Sequence, residues 1–389
     1  MSYYFKQIEL TNWKNFRNAN VPLFQRTFVV GPNAVGKSNF LDAFRFLRDL
    51  AVEGGGLTKA VEWRGWMKGV RSLHARQHPE VTISVEIGSK GADGYRYQIT
   101  FGGHPKRIRK HEPVVIHEKV DRISPTGVES KIIDRKRREK DDVEEFTQTL
   151  IQQVSANKDF RELAEFFKSV SYLHLVPQLL REEQSPIHFG SSPDSFGRDL
   201  LEQMRGVGKR KRDGRLSKIG GVLKTVVPQL EDLSFEIDEK GRPRLKVKFH
   251  HWRANAASQY ETQLSDGTLR LIGLLWSVQE RGGILLLEEP ELSLHGEIVG
   301  KLAYFIHTVQ KVYGRQVLVS THSERLLQDE GIAPEELILI RPCSEGSEII
   351  NGASIDDVVD LMQNGLTAAD AMMPRTITET MSQFGGGEL

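Results

Sequence analysis

The sequence predicts an α/β protein, built as a mostly parallel sheet with helices on both faces, an antiparallel β annex and a helical lobe. Three observations carry that reading. The short apolar runs "RTFVV" (26–30), "ILLL" (284–287) and "VLVS" (317–320) have no polar alternation, as expected of strands covered on both faces. Text of helical period follows each of them, which is the rhythm of a doubly covered sheet. Elsewhere, strictly alternating runs flank glycine-containing turns, the pattern of antiparallel hairpins.

Taken in order, Phe5 to Leu10 alternates apolar and polar residues and reads as a strand, and 26–30 is a second strand ending at a glycine loop. From Lys37, residues Phe40, Leu41, Phe44, Leu47 and Leu50 recur at helical spacing. Residues 80–103 form two alternating runs around a Gly/Asp turn, a hairpin, and "VVIHEKVDRI" (114–123) is a further strand. Residues 142–170 are expected to be mostly helical, 171–178 to be a short strand stopping at Pro177, and the stretch from Asp194 to Leu230 to be helical with loops. A second hairpin with a Lys-Gly turn spans 233–252, and a helix spans 266–280. Strands at 282–291, 316–323 and 336–342 close the core, with one helix over Gly296–Tyr313. In the tail, Val358, Val359, Leu361 and Met362 sit at helical spacing and are expected to pack on their own domain.

Composition narrows the classes. The net charge of +1 gives no global field for nucleic acid, so any basic surface is local. The single cysteine, Cys343, excludes an intramolecular disulfide and a four-cysteine zinc site, and fits a reducing cytoplasm. No run of about 18 apolar residues predicts a membrane span, and "MSYYFKQIEL" is unlike a signal peptide. Three local basic clusters stand out, at 104–111, 134–140 and 205–218. The third holds Lys209, Arg210, Lys211 and Arg212, and reads either as a solvated loop or as a contact to a phosphate backbone.

Four motifs carry chemistry. "GPNAVGKS" (31–38) fits G-x-x-x-x-G-K-[ST]: Gly31 and Gly36 let the backbone wrap phosphates, Lys37 reaches the β and γ phosphates of ATP, and Ser38 offers a hydroxyl to Mg²⁺. Gly31, Asn33, Ala34, Gly36, Lys37, Ser38 and Asn39 are the expected nucleotide-binding residues. "ILLLEEPE" (284–291) ends a buried strand in two carboxylates that alternate in direction, so Glu288 is expected at the metal and Glu289 as general base. "LSDGT" (264–268) opens a helix whose Ser265 and Gly267 form a second anion site. Two phosphate cradles so far apart in one chain fit two chains better than one, each completing the other's site. "VLVSTHS" (317–323) ends a strand at His322, a candidate γ-phosphate sensor.

In this order the motifs resemble those of ABC-type ATPase heads, specifically the SMC/RecF-like and OLD-like group. "IELTNWKNFRN" followed by "VVGPNAVGKSNFLDAF" is similar to the opening of that group, and "EEPELSLH" and "STHSERLL" to its later motifs. The resemblance implies ATP binding with Mg²⁺, Glu289, His322 and Lys37 in catalysis, Ser265 and Gly267 acting on a neighbour's nucleotide, and Gln178 beside Ser38 and Glu288 at the metal. It implies a division into 1–140 (phosphate loop and β annex), 141–275 (helical lobe with the "LSDGT" signature) and 276–389 (catalytic strand, switch histidine and tail). Ala34 and Val35 stand where the group has Gly-Ser, and Glu288 where it has aspartate. No sustained heptads are present, so no long coiled-coil rod is expected. Members of the OLD-like group often carry a TOPRIM nuclease domain after the ATPase. The stretch after His322 is too short for one, so an effector is expected on a separate chain. Three purposes follow: a head-to-tail dimer acting as nucleotide-gated sensor for a nuclease or toxin in anti-phage defence, a RecF-like repair ATPase binding DNA directly, or an ATP-dependent scaffold with little turnover.

Overall fold

The computed structural model describes residues 3–75, 79–89, 91–106, 109, 111–181, 197–250, 258–280 and 283–377. Arg107, Ile108 and Lys110 of the first basic cluster, 194–196 of the expected helical stretch, 251–252 of the second hairpin and Gly282 lie outside the described residues.

The chain opens with strands β1 (Tyr3–Trp13), β2 (Phe16–Pro22) and β3 (Arg26–Val30) and helix α1 (Lys37–Ala51). Two short helices, α2 (Leu57–Glu62) and α3 (Trp66–Val70), precede strands β4 (Val81–Ser89), β5 (Gly94–Gly103), β6 (Pro113–Ile123) and β7 (Glu129–Lys136). Next come α4 (Arg161–Lys168), β8 (Val170–Leu173), α5 (Pro177–Arg181), α6 (Leu200–Gly206), α7 (Lys209–Val226), β9 (Leu230–Ile237), β10 (Pro243–Phe249) and β11 (Ser258–Tyr260). The last part holds α8 (Asp266–Val278), β12 (Ile284–Glu288), α9 (Gly296–Val299), α10 (Leu302–Tyr313), β13 (Gln316–Ser320), α11 (Glu324–Leu327), β14 (Leu337–Cys343), β15 (Gly346–Asn351), α12 (Asp356–Gln363) and α13 (Ala368–Met372).

These strands form three sheets. The catalytic sheet has the order β15-β14-β3-β13-β12-β8, and all its pairings are parallel except β14 with β15. Its two faces are separately packed. Val29, Leu286, Leu318 and Ile338 point to α1, while Phe28, Leu285, Leu287, Val317 and Val319 point to α10 and α13. Both faces being covered explains why these strands read as unbroken apolar runs. The annex is a six-stranded antiparallel sheet, order β2-β1-β4-β5-β6-β7. A third small sheet, β11-β10-β9, packs with α6, α7 and α8 around Leu216, Ile219, Leu245 and Trp276.

Helix α1 lies between annex and catalytic sheet and is buried on almost every side, including Asp42, Arg48 and Asp49. Buried charge demands partners. Arg64 gives Asp42 two hydrogen bonds, of 2.8 and 2.9 Å, and one of 2.9 Å to Asp49. Lys14 lies 2.6 Å from Asp42 on the other side. Burial alone would raise the Asp42 carboxyl, yet Arg64 and Lys14 together hold it well below the usual carboxylate range. Gln316 stitches the two sheets together: its amide accepts from Phe5 N at 2.8 Å and donates to Phe5 O and Phe24 O at 2.8 and 2.9 Å.

Several expectations change. The region 142–170 holds two short 3₁₀ turns and a single α-helix, α4, not a mostly helical run. The second basic cluster begins inside a strand: residues 134–136 close β7, whose partner is β6. The third is no loop. Lys209 starts the 18-residue helix α7, because Leu216, Ile219 and Leu223 recur on one buried face. The single helix expected over Gly296–Tyr313 is two, broken where Lys301 N bonds Ile298 O in a tighter turn. Strands β2 and β15, unforeseen, are edge strands with mixed composition.

Substituting Arg64 by Met is expected to cost about 3–5 kcal/mol, because it removes the guanidinium that two buried carboxylates share, leaving Asp42 to Lys14 and Asp49 to Arg48. Urea denaturation of the purified protein measures this; a loss under about 1 kcal/mol would show that water or another cation replaces the guanidinium.

Candidate nucleotide site

The glycine loop runs from the end of β3 into α1, at the carboxyl edge of the parallel sheet where α/β proteins place ligands. Gly36 has φ 109°, and a Cβ there would lie 2.1 Å from the Asn15 amide nitrogen. Ala34, at the exposed loop tip beside Asn33, also takes a left-handed backbone with φ 61°. An alanine meets a steric penalty there that the glycine expected by resemblance does not.

Lys37 is 6 % exposed and folds back on the loop: its ammonium donates to Gly31 O at 3.0 Å and Pro32 O at 2.9 Å. Burial lowers it to about 8, against the opposing pull of Glu289, Glu288 and Glu291. The Ser38 hydroxyl donates to one oxygen of Glu288, and the Tyr172 hydroxyl donates to the other. Glu289 has φ 44°, and its carboxylate lies 3.3 Å from His322 Nε2. Burial, and then Lys37, lower the pKa of His322, favouring the neutral ring. Lys37, Ser38, Glu288, Glu289 and His322 therefore meet around one loop, as the motifs implied.

Other residues of the site were not foreseen. Asn15, in the turn between β1 and β2, donates to Val35 O at 2.7 Å and to Ser347 Oγ at 2.8 Å, and accepts from Asn39 at 2.7 Å. Ser347 donates to the same Val35 carbonyl at 2.7 Å. Asn39, expected at the nucleotide, thus braces the loop from behind. Trp13 donates to Asn39 O at 2.8 Å. Glu291 accepts from the Thr321 hydroxyl at 2.6 Å and from His322 N at 3.1 Å, and its second oxygen is buried without a hydrogen bond. Burial raises its pKa. Asn15 lies in the opening stretch "IELTNWKNFRN" without a role being expected of it, and nothing in the local sequence marks Tyr172; the chain fold brings both here.

Ser265 caps α8 through Thr268 N at 3.3 Å and is exposed, at a helix start that offers free N–H groups. Gly267 passes so close to the loop after β12 that a Cβ would sit 2.5 Å from Ser293 O. Gln178, expected at the metal, uses its amide elsewhere. It lies on α5, which starts at Pro177, and donates to Asp266 at 2.9 Å, beside Arg181, which lies 2.6 Å from the same carboxylate.

A lysine faced by three glutamates is a poor polyphosphate site without further positive charge. The hard oxygen donors Ser38 and Glu288, side by side, fit Mg²⁺, which is bound through few protein ligands and substrate phosphates. Among the described residues no group of three or more His, Cys, Asp or Glu is arranged to hold a metal by itself.

Fold and loop define the class as a nucleotide-binding α/β head, with a glycine loop between a central parallel strand and the helix that follows it. Residues 26–328 match the family described as "AAA domain, putative AbiEii toxin, Type IV TA system", and the chain belongs to that family. In fold it is similar to the Smc head domain of Pyrococcus furiosus solved with an extended coiled coil and the C-terminal domain of ScpA. That likeness has a TM-score of 0.53 and 13 % identity, over 93 % of this chain and all of that one. It is also similar to an Smc head bound to the C-winged helix domain of ScpA, with a TM-score of 0.50 and 16 % identity, over 89 % of this chain and 97 % of that one. Over 56 residues, 14 % of this chain, it is 38 % identical to the endonuclease GajA of Bacillus cereus (strain VD045). The match spans 10 % of that relative's length. Among the described residues no helix is long and apolar enough to cross a membrane.

Because Lys37 is depressed to about 8 before ligand arrives, a bound polyanion raises it and the protein takes up a proton. Affinity for a fluorescent ATP analogue is expected to hold between pH 6.5 and 7.5, then weaken by up to about tenfold per unit above pH 8. A flat profile to pH 9.5 would contradict the burial of a charged Lys37.

Proposed function

We propose that this protein binds and hydrolyses ATP in a head-to-tail dimer, and that the ATP-bound state controls a separately encoded effector. The observation that carries the ATP reading is the convergence of Lys37, Ser38, Glu288, Glu289 and His322 on one glycine loop. Lys37 binds the phosphates, Ser38 and Glu288 hold Mg²⁺, which supplies charge neutralisation when bound, and His322 orients the γ-phosphate end. Glu289, 3.3 Å from His322, takes the proton of the attacking water. Gln178 joins only if it leaves Asp266. The exposed Ser265 and the half-buried Gly267, at the start of α8, supply the phosphate contacts of the opposite chain. In this reading 1–140, 141–275 and 276–389 act as phosphate-loop part, signature lobe and catalytic part.

The family description names a toxin system, and the partial relative is an endonuclease. Both support a nuclease or toxin as the effector; anti-phage defence in the cytoplasm is the setting proposed for it. A second reading, direct DNA binding, rests on α7. Lys209, Arg210 and Lys211 are exposed in its first turn, where the helix dipole disfavours cations, a local conflict that bound phosphates would relieve. Arg212 contributes less, since its guanidinium stacks on Phe235 at 4.2 Å. A scaffold with little turnover is the third reading.

Glu289→Gln is expected to lower ATP turnover about 10²–10⁴-fold and to trap an ATP-dependent dimer, seen by light scattering. Mixing Lys37→Ala and Ser265→Arg chains, each inactive alone, restores activity only if one chain completes the other's site; no rescue would refute the head-to-tail arrangement. Neutralising Lys209, Arg210 and Lys211 is expected to abolish salt-sensitive DNA binding if the second reading holds.

A further inference from the structure

Glu288 is held from both sides, and the second hold comes from outside the motifs. Strand β8 pairs with β12 in parallel register, Tyr172 opposite Leu286. Side chains two residues apart on a strand share a face, so Leu286, Glu288 and Tyr172 all point toward α1. The helix answers with residues on one stripe, seven positions apart: Ser38 bonds Glu288, and the Arg45 guanidinium covers the Tyr172 ring at 4.3 Å. The Tyr172 hydroxyl then donates to the Glu288 oxygen that Ser38 does not use.

We infer that Tyr172 is a positioning residue for the metal site: its phenol fixes the longer Glu288 side chain so that one carboxylate oxygen is committed to Tyr172 and the other is presented beside Ser38. The inference rests on the ATP reading above. A glutamate has one more rotatable bond than an aspartate, and that freedom must be frozen before a cation is held. The ring is itself immobilised by Arg45 above it, and Arg45 lies 3.6 Å from Asp42 in the buried charge network of α1. Orientation of Glu288 is thereby tied to the packing of the helix that begins with the phosphate loop.

Equilibrium binding of a fluorescent ATP analogue, with saturating Mg²⁺ and with EDTA, separates the roles. The ratio of the two dissociation constants reports the metal. Tyr172→Phe removes one oxygen and keeps the ring under Arg45. It is expected to leave the metal-free constant unchanged and to shrink the ratio about tenfold, the size typical of losing a group that orients a metal ligand. Glu288→Asp, too short to span both hydroxyls, is expected to shrink the ratio as well, and adding Tyr172→Phe to it to change the ratio less than about twofold. A full Mg²⁺ ratio in either single variant overturns the inference, as does a further tenfold loss in the double variant. Wild-type protein that binds no ATP under any condition would instead overturn the ATP reading itself.

Discussion

The structure depends on α1 being buried nearly all round. A helix between two sheets has no solvent face on which to place charge, yet this one carries Asp42, Arg48 and Asp49 inside. Their ionisation is tolerable because Arg48 pairs with Asp49, Arg64 forks across Asp42 and Asp49, and Lys14 reaches Asp42 from the β1–β2 turn. The helix is thus fixed in rotation and depth by charge as well as by Phe40, Phe44 and Leu47. Its first turn is the phosphate loop's end, so Lys37 and Ser38 inherit that fixed position.

The annex does more than cover apolar surface. Asn15, at the annex turn, bonds the loop at Val35 and Asn39 and also Ser347 of the catalytic sheet's edge strand. The loop therefore hangs between two sheets, neither of which defines its shape alone. That arrangement accounts for the tolerance of a left-handed Ala34: the strain of a non-glycine residue persists where neighbours over-determine the backbone.

Much of this was legible in the sequence. The runs 26–30, 284–287 and 317–320 are strands of the parallel sheet, because complete burial leaves no polar alternation to mislead. The residues gathered at the loop are legible too, since a phosphate cradle needs glycine, lysine and hydroxyl at fixed separation. What escaped detection depends on chain crossing. Tyr172 reaches Glu288 only through the pairing of β8 with β12, a contact across 116 positions. Helix α7 falls inside the stretch expected to be helical, but its cationic first turn at 209–212 also read as a solvated loop, because the apolar face, Leu216, Ile219 and Leu223, starts beyond it. Edge strands such as β2 escape because half their backbone needs no partner and their composition carries no period.

The loop after β12 and the start of α8 are in contact within one chain. Glu289 and Ser293 both hold left-handed backbones, with φ of 44° and 61°, in the short loop that follows β12. Strain at two positions so close, one of them the proposed base, marks a segment whose shape is imposed by its surroundings. Gly267 presses on the carbonyl of Ser293 with no room for a side chain, and Glu291 of the same loop holds Thr321 and the backbone of His322. Glu289 is therefore joined through a few packed backbone atoms to the start of α8, where Ser265 is exposed. In the proposed dimer that start is what the neighbouring nucleotide meets. That contact between the loop after β12 and the start of α8 is the packed backbone through which the proposed dimer would couple its two sites.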